Sequence, residues 1–352
     1  SQKIVFLAFI PSPIKGLQVF NSGIIEGENL YFVGTTRSRD SSKNVISKEI
    51  VISKFNIKSQ SFLKQKLIAP SFYRIEQSTK DLSVASRSKP IIYKDNLYFA
   101  FGHIFREPQD NFSGFIVKTN LDFDENSKYI YHTSPTGIGG GIWGFDAINL
   151  HINHLYFNIG NCYGNFFSNY SMGGDSVCSS IGKLNLENFS LENLYTPPFF
   201  EFLDDGDIDI CVGPYVLDEN ILMSIDKGGV IYLLTANLQL IYNLKLPNLR
   251  INCTTPYFNY QKNKKKLDII YTAYNDSGEF SLNLSEINLS NSKIADAKIK
   301  ADKIYANGKS YINSKIYKSK NKKNIYFVEC YEKKCSIVFL DINFNVVKKI
   351  EI

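Results

Sequence analysis

Four stretches of the chain carry residue types that could do chemistry. Residues 137–161, GIGGGIWGFDAINLHINHLYFNIGN, place the single Trp of the protein, Trp143, just behind Gly139, Gly140 and Gly141, and end in Gly160-Asn161. Glycines ahead of an indole leave its face clear, so a flat ligand can lie over it. Asp204-Asp205-Gly206-Asp207-Ile208-Asp209 sets four carboxylates in six residues. Such a group repels itself unless a cation or a basic side chain sits among it, the plain alternative being an acidic surface loop. Asp226-Lys227-Gly228-Gly229 puts an ammonium at a tight turn, for which an ordinary hairpin is the alternative. Gly102-His103-Ile104-Phe105-Arg106-Glu107 leads a long loop to Gly114.

These stretches are positioned by a repeat. Asn-Leu-Tyr-Phe, or a close variant, follows a turn residue and is followed after a polar gap by Ile-x-Lys-x-Asn-Leu. Clear copies are ENLYFVG with ISKFNI, DNLYFAFG with IVKTNLD, and NHLYFNIG with IGKLNLE. Weaker copies are ENILMSID with IYLLTANLQ, LDIIYTAY with LSEINLS, and KNIYFVEC with IVFLDINF. The aligned positions Tyr31, Tyr98, Tyr156, Met223, Tyr271 and Tyr326 recur at intervals of 48 to 67 residues, with the variation in the gaps, as expected for loop insertions on a repeated unit. One apolar stretch precedes each copy and another follows it. Four short strands per unit, repeated radially, predict an all-β propeller of four-stranded antiparallel blades, with six recognisable repeats in a ring of six to eight blades. The expectation is one domain over 1–352. Within 137–161, FDAINL and HLYFNI predict a hairpin that sets Trp143 and Asn161 on one rim of a sheet.

Composition agrees. Aromatic residues make up 14%, with 22 Tyr and 26 Phe, which favours strands. The net charge of +6 comes mainly from lysines clustered between apolar runs, such as 262–266 and 318–323, which read as solvated turns. No basic and stacking residues interleave as in a nucleic-acid groove, so no nucleic-acid partner is expected. No run of 18 apolar residues exists, so no membrane span is expected. A start at Ser1 fits a mature form after signal cleavage. The spacings of the six cysteines suggest Cys330–Cys335 across a hairpin tip and Cys162–Cys178 around a Gly/Asn/Ser loop, with Cys211 and Cys253 remaining as a third pair, the plain alternative being six unpaired buried thiols. Three disulfides point to a periplasmic or extracellular protein.

The order Glu107, GGGIWG, Gly160-Asn161, D-x-x-D-x-D, Pro214, Lys227-Gly228-Gly229 resembles the quinoprotein dehydrogenases, propellers that oxidise alcohols and sugars with pyrroloquinoline quinone (PQQ) and Ca²⁺. The resemblance covers mainly residues 85–240. It implies that Trp143, with Gly140 and Gly141, forms the floor beneath the quinone. It also implies that Asn161, Glu107 and Asp207 are calcium ligands, Asp207 the catalytic base, and Lys227 the group that contacts the quinone oxygens. Arg87, Arg106 and Arg250 are available for the quinone carboxylates, and Arg106, beside Glu107, is taken as the cofactor contact. A carboxylate, an amide oxygen and a second carboxylate make an oxygen set suited to Ca²⁺. A small alcohol or sugar is the substrate on this reading. The alternative is a non-catalytic propeller, a secreted scaffold or assembly subunit with a protein or glycan partner on its rim. That alternative draws on the lack of adjacent cysteines, which the family uses to cover its quinone, and on the long loops 103–113 and 162–178.

Overall fold

The computed structural model describes residues 17–39, 45–68, 82–85, 88–105, 111–124, 127–133, 148–159, 165–166, 170–171, 180–195, 210–226, 229–246, 250–251, 256–274, 280–289, 297–306, 311–312, 316–318, 324–331, 334–341 and 345–351. Apart from one 3-10 turn at Lys262–Lys264, the regular structure there is β. It forms six antiparallel sheets, and each holds one copy of the repeat. The protein is an all-β propeller of four-stranded antiparallel blades. Asn-Leu-Tyr-Phe opens the second strand of its sheet, and Ile-x-Lys-x-Asn-Leu closes the third. The two lie side by side, with Tyr31 opposite Lys54, Tyr98 opposite Lys118 and Tyr156 opposite Lys183.

The Asn of the second motif explains why the strand stops there. Asn56, Asn120 and Asn185 each accept a backbone N–H from the turn that follows, from Ser59, Asp124 and Glu187, at 2.8 to 3.0 Å. A side chain that satisfies turn amides in this way makes the turn self-contained. The next residue then ties back to the turn before the second strand. Ile57, Leu121, Leu186 and Leu289 donate their N–H to the carbonyls of Glu28, Asp95, Asn153 and Lys265. The same bond in four sheets is the physical content of the repeat.

The chain divides into two compact units, Ser1–Ile142 with Tyr163–Gly174, and Trp143–Cys162 with Asp175–Ile352. In the first unit, the sheet Leu17–Glu26, Asn29–Arg39, Val45–Asn56 and Ser61–Ile68 packs against the second sheet. Tyr31, Val33, Ile50 and Ile52 of one meet Leu97, Phe99 and Val117 of the other. Inner strands covered on both faces should be apolar on both, and Leu97, Tyr98, Phe99 and Ala100 are all buried. The second sheet extends further than the sequence suggests. Asn165–Phe166 pairs with Lys128–Thr133, and Tyr170–Ser171 pairs in turn with Asn165–Phe166. Part of the stretch expected as a loop between Cys162 and Cys178 is therefore an edge of that sheet.

The second unit holds four sheets. The hairpin expected around residue 152 is present, with Ile148–His151 joined to His154–Ile159 through a two-residue turn and His151 opposite His154. Ile152 takes φ 56° at its tip. In this third sheet Gly182 lies opposite Phe157, and a Cβ there would fall 2.1 Å from the ring. The glycine of IGKLNL is thus required by the phenylalanine of HLYF. Successive sheets pack through Tyr156, Ile181 and Tyr232, through Met223, Ile225 and Tyr271, and through Leu282, Phe327 and Val338. The fourth strand of the fifth sheet runs Ala297–Ala306. Cys330 and Cys335 form a disulfide across the hairpin of the sixth sheet, as their spacing implied. The pairs Cys162–Cys178 and Cys211–Cys253 rest on residues outside those whose side chains are described.

Candidate functional site

All eight residues singled out by sequence, Arg106, Glu107, Gly140, Gly141, Trp143, Asn161, Asp207 and Lys227, lie outside the described residues. The strands that lead to them are described. Glu107 follows Asn96–Phe105, the second strand of the second sheet, in the first unit. In the second unit, Asn161 follows the second strand of the third sheet, and Lys227 that of the fourth. Asp207 precedes Ile210, which lies opposite Asp226. Ile210 and Asp226, the described residues nearest in sequence to Asp207 and Lys227, are thus paired at one end of the fourth sheet. Among the described residues, no group of three or more His, Cys, Asp or Glu side chains is placed to hold a metal ion.

The Asp-Lys-Gly-Gly stretch contains a residue that sequence reasoning passed over. Asp226 is fully buried. Its Oδ1 accepts the N–H of Val230 at 2.8 Å, its Oδ2 accepts the Tyr232 hydroxyl at 3.1 Å, and its carbonyl accepts the N–H of Gly229 at 3.0 Å. Gly229 sits at φ +81°. Asp226 therefore holds Gly229 and Val230, the residues that resume the chain after Lys227-Gly228, from beneath. Burial, then the neighbouring Asp226 carboxylate, pushes the Tyr232 phenol strongly up. Tyr195 packs against Tyr232 with ring centroids 6.5 Å apart, and burial pushes its phenol up to about 12. Tyr156, also raised to about 12 by burial, donates its hydroxyl to the Ala236 carbonyl at 2.7 Å. These phenols stay protonated near neutral pH and act here as hydrogen-bond donors and packing groups.

Charge is organised by the repeat lysines. In the first sheet a straight row crosses three strands, Tyr31 opposite Lys54 and Lys54 opposite Lys64. Both lysines are met by the turn after the third strand of the second sheet. Lys54 Nζ donates to Asp122 at 2.7 Å, Lys64 pairs with Asp124, and Lys66 donates to the Phe123 carbonyl at 3.2 Å. The Lys54 hydrogen bond holds the Asp122 carboxyl below its ordinary range, and the same bond raises the Lys54 ammonium. Phe123, at φ 58°, is buried between them, edge-on to Tyr31 at 6.3 Å. In the third sheet Lys183 reaches Glu192 at 3.4 Å and the side-chain oxygen of Asn237 at 3.2 Å. His154 contacts the same Glu192 at 3.0 Å, yet burial and Lys183 hold its imidazole below the usual value.

The second sheet repeats the row, with Tyr98 opposite Lys118 and Lys118 opposite Lys128. Lys118 Nζ stands 5.8 Å from the Tyr98 ring centre, within cation–π range. Lys118 and Lys128 are among the residues of an open cleft of about 630 Å³ in the first unit, together with Tyr31, Lys54, Asp95, Asn96 and Asp122. That volume suits a small ligand or a few residues of a peptide. Thr119 is buried, and among the described residues its Oγ1 has no hydrogen-bond partner. The repeat motif Ile-x-Lys-x-Asn-Leu already held Lys118, but periodicity alone marks it as a strand residue.

No protein-family model matches the chain, and no curated protein matches it. Solved structures similar to it include Raptor from Chaetomium thermophilum, at 8% identity and a TM-score of 0.45, covering 95% of this chain. The chain spans 24% of the length of that protein. BamB from Moraxella catarrhalis is similar at 8% identity and a TM-score of 0.45, with 97% of this chain and 91% of that one covered. The β-propeller domain of the trilobed protease from Pyrococcus furiosus is similar at 10% identity and a TM-score of 0.42, covering 94% and 82%. At these identities the likeness is one of fold.

Proposed function

We propose that this chain is a non-catalytic β-propeller that holds a partner protein, a scaffold or assembly subunit of the periplasm or cell exterior. The observation that carries the reading is the polar cleft of the first unit, open to solvent and lined by Lys54, Lys118, Lys128, Asp95 and Asp122. Oppositely and singly charged side chains around an open cleft recognise a polar surface and tune encounter and specificity. The Cys330–Cys335 disulfide supports the oxidising compartment. The test is the rival chemistry. Purified protein supplied with PQQ and Ca²⁺ should give no dye-linked oxidation of alcohols or sugars, and Trp143→Ala and Asp207→Asn should leave the biological role intact. Quinone-dependent turnover would overturn the scaffold reading.

The second reading, a PQQ- and Ca²⁺-dependent alcohol or sugar dehydrogenase, is favoured by the ordered set of residues in the sequence. Glu107, Asn161 and Asp207 would supply the oxygen donors that a hard cation takes. Trp143, Gly140 and Gly141 would form the floor, and Lys227 and Arg106 would contact the quinone. Bound there, the quinone would accept hydride, while the cation polarises its carbonyl. The chain would contribute Asp207 as the base for the substrate hydroxyl.

A further inference from the structure

The outer edge of the fourth sheet differs from the other outer edges. Its last strand, Leu240–Lys245, reads LIYNLK and pairs on one side with Val230–Thr235. Among the described residues no strand pairs with its other side. Such an edge offers its amides and carbonyls as a template for another strand, and charge, lysine above all, ordinarily guards against this. The first sheet carries Lys64 and Lys66 on its outer strand, the third Glu192, and the sixth Lys348 and Lys349. The outer strand of the fifth sheet carries Lys298, Lys300 and Lys303. Leu240–Lys245 has no charge before its last residue, and Leu240 and Ile241 are 40% and 37% exposed. The third and fifth sheets, which pack on the two faces of the fourth, belong to the same unit, so both flanks of this edge lie within the second unit. The second sheet shows that an outer edge in this fold accepts a strand. There Asn165–Phe166 adds antiparallel to Lys128–Thr133, with Phe166 opposite His132.

We propose that two copies of the chain associate through Leu240–Lys245, the two strands antiparallel about a two-fold axis. Side chains alternate between faces, so an axis normal to the joined sheet must pass through a residue that pairs with its own copy. Centred on Asn243, the axis sets Tyr242 opposite the partner's Leu244 and Ile241 opposite the partner's Lys245. The two Lys245 residues then stand about 14 Å apart along the pair, beyond the Debye length of about 8 Å at physiological salt. The same operation on the first sheet, centred on Gln65, would set Lys64 opposite the partner's Lys66. On the sixth sheet, centred on Lys348 or Lys349, it would set that lysine against its own copy. Like charges directly opposite are unfavourable, so the charge pattern selects the fourth sheet over these two. Tyr242–Lys245 also keeps a regular ladder with Val230–Leu233, the bulge lying beyond it between Leu233 and Leu234. Pairing removes apolar surface of Ile241, Tyr242 and Leu244 from water. The contact is small, so the dimer should form only at high protein concentration. It uses no residue of the cleft or of the quinone set and stands apart from both functional readings.

The experiment is sedimentation velocity of the full chain over a series of concentrations. The sedimentation coefficient should rise with concentration toward that of a dimer. Asn243→Lys sets two ammonium groups face to face at the axis and should weaken association about tenfold. Asn243→Thr should retain it, and Val347→Lys, at an exposed position on the outer strand of the sixth sheet, should leave it unchanged. Asn243→Cys should form an interchain disulfide on mild oxidation, because facing residues of antiparallel strands have Cα atoms about 4.5–5.5 Å apart, within reach of that bond. Val347→Cys should not. Thermal unfolding of each variant separates lost association from lost fold, and the cysteine variants keep the test valid if Asn243→Lys is unstable. A monomer at every concentration, undiminished association of a folded Asn243→Lys variant, or equal cross-linking by Val347→Cys would overturn the proposal. So would a chain that stays monomeric yet binds a fluorescein-labelled Leu-Ile-Tyr-Asn-Leu-Lys peptide, which would assign the edge to a strand of another protein.

Discussion

The first and second sheets are built alike and finished differently. Each sets a Tyr of the second strand beside a Lys of the third and a Lys of the fourth. The first row faces an apolar cluster that contains its own Tyr31 with Val33, Leu97 and Phe99, whereas Tyr98 of the second row alternates with Leu97 and Phe99 and lies on the other face of its sheet. In the first sheet the row is paired with Asp122 and Asp124 of the second sheet, while among the described residues Lys118 and Lys128 of the second row have no acidic partner. Two sheets with equivalent cores thus differ in the charges laid across one face. The core of such a repeat carries the stability, and variation between copies on the surface is where a repeated fold acquires a function.

The largest effect should come from removing what the two rows share. Phe99→Ala empties a fully buried site between the sheets and should cost about 3–5 kcal/mol in chemical denaturation. Both rows should be lost together. A cost below 1 kcal/mol would mean that the rows do not depend on that core. Gly182→Ala extends the comparison to the third sheet, where the row runs through Lys183. The added Cβ would collide with the Phe157 ring, and overpacking of this kind should cost about 1–3 kcal/mol with Lys183 displaced from Glu192. An unchanged denaturation midpoint would contradict the packing described.

The closed row should also open with pH. Asp122 is held below its ordinary value of 3.8 by Lys54, so its pairing contributes fully above that value and is lost as pH falls through the lowered one. Lys54 is raised above 10.5 by the same bond, so the pairing is lost again only as pH rises through that raised value. Wild type and Lys54→Gln should therefore differ in thermal midpoint near neutral pH and converge in acid. A difference that persists once Asp122 is protonated would show that Lys54 acts by packing alone. The smallest effect belongs to the open row. Lys128→Gln relieves the repulsion across from Lys118 and should raise stability by about 0.2–1 kcal/mol. A loss of stability would indicate a partner for Lys128 within the chain.

Much of this architecture is legible in the sequence, because it is local. Asn-Leu-Tyr-Phe and Ile-x-Lys-x-Asn-Leu mark neighbouring strands, and Asn56, Asn120 and Asn185 mark where they end. The hairpin at Ile152 follows from two strand-like runs and a polar gap. Pairing between copies is not local. Lys54 and Asp122 are 68 residues apart, and nothing in the period of either stretch points to the other. Asp226 was hidden for a related reason. A turn sequence shows which residue is at the tip, whereas burial decides which one holds the turn together. The short strands at 165–166 and 170–171 escaped notice because a pair of two-residue strands has no period to detect. The site residues read by resemblance, Trp143 and Asp207 among them, stand or fall with the quinone assay.

One measurement tests the contrast between the two rows most directly. Limited acetylation of the intact protein, followed by mass spectrometry, reports how freely each lysine amine reacts. Lys118 and Lys128 should be modified quickly. Lys54 and Lys64 should react several-fold more slowly and approach the faster rate in the Asp122→Asn/Asp124→Asn variant. Equal rates at all four lysines would contradict the account.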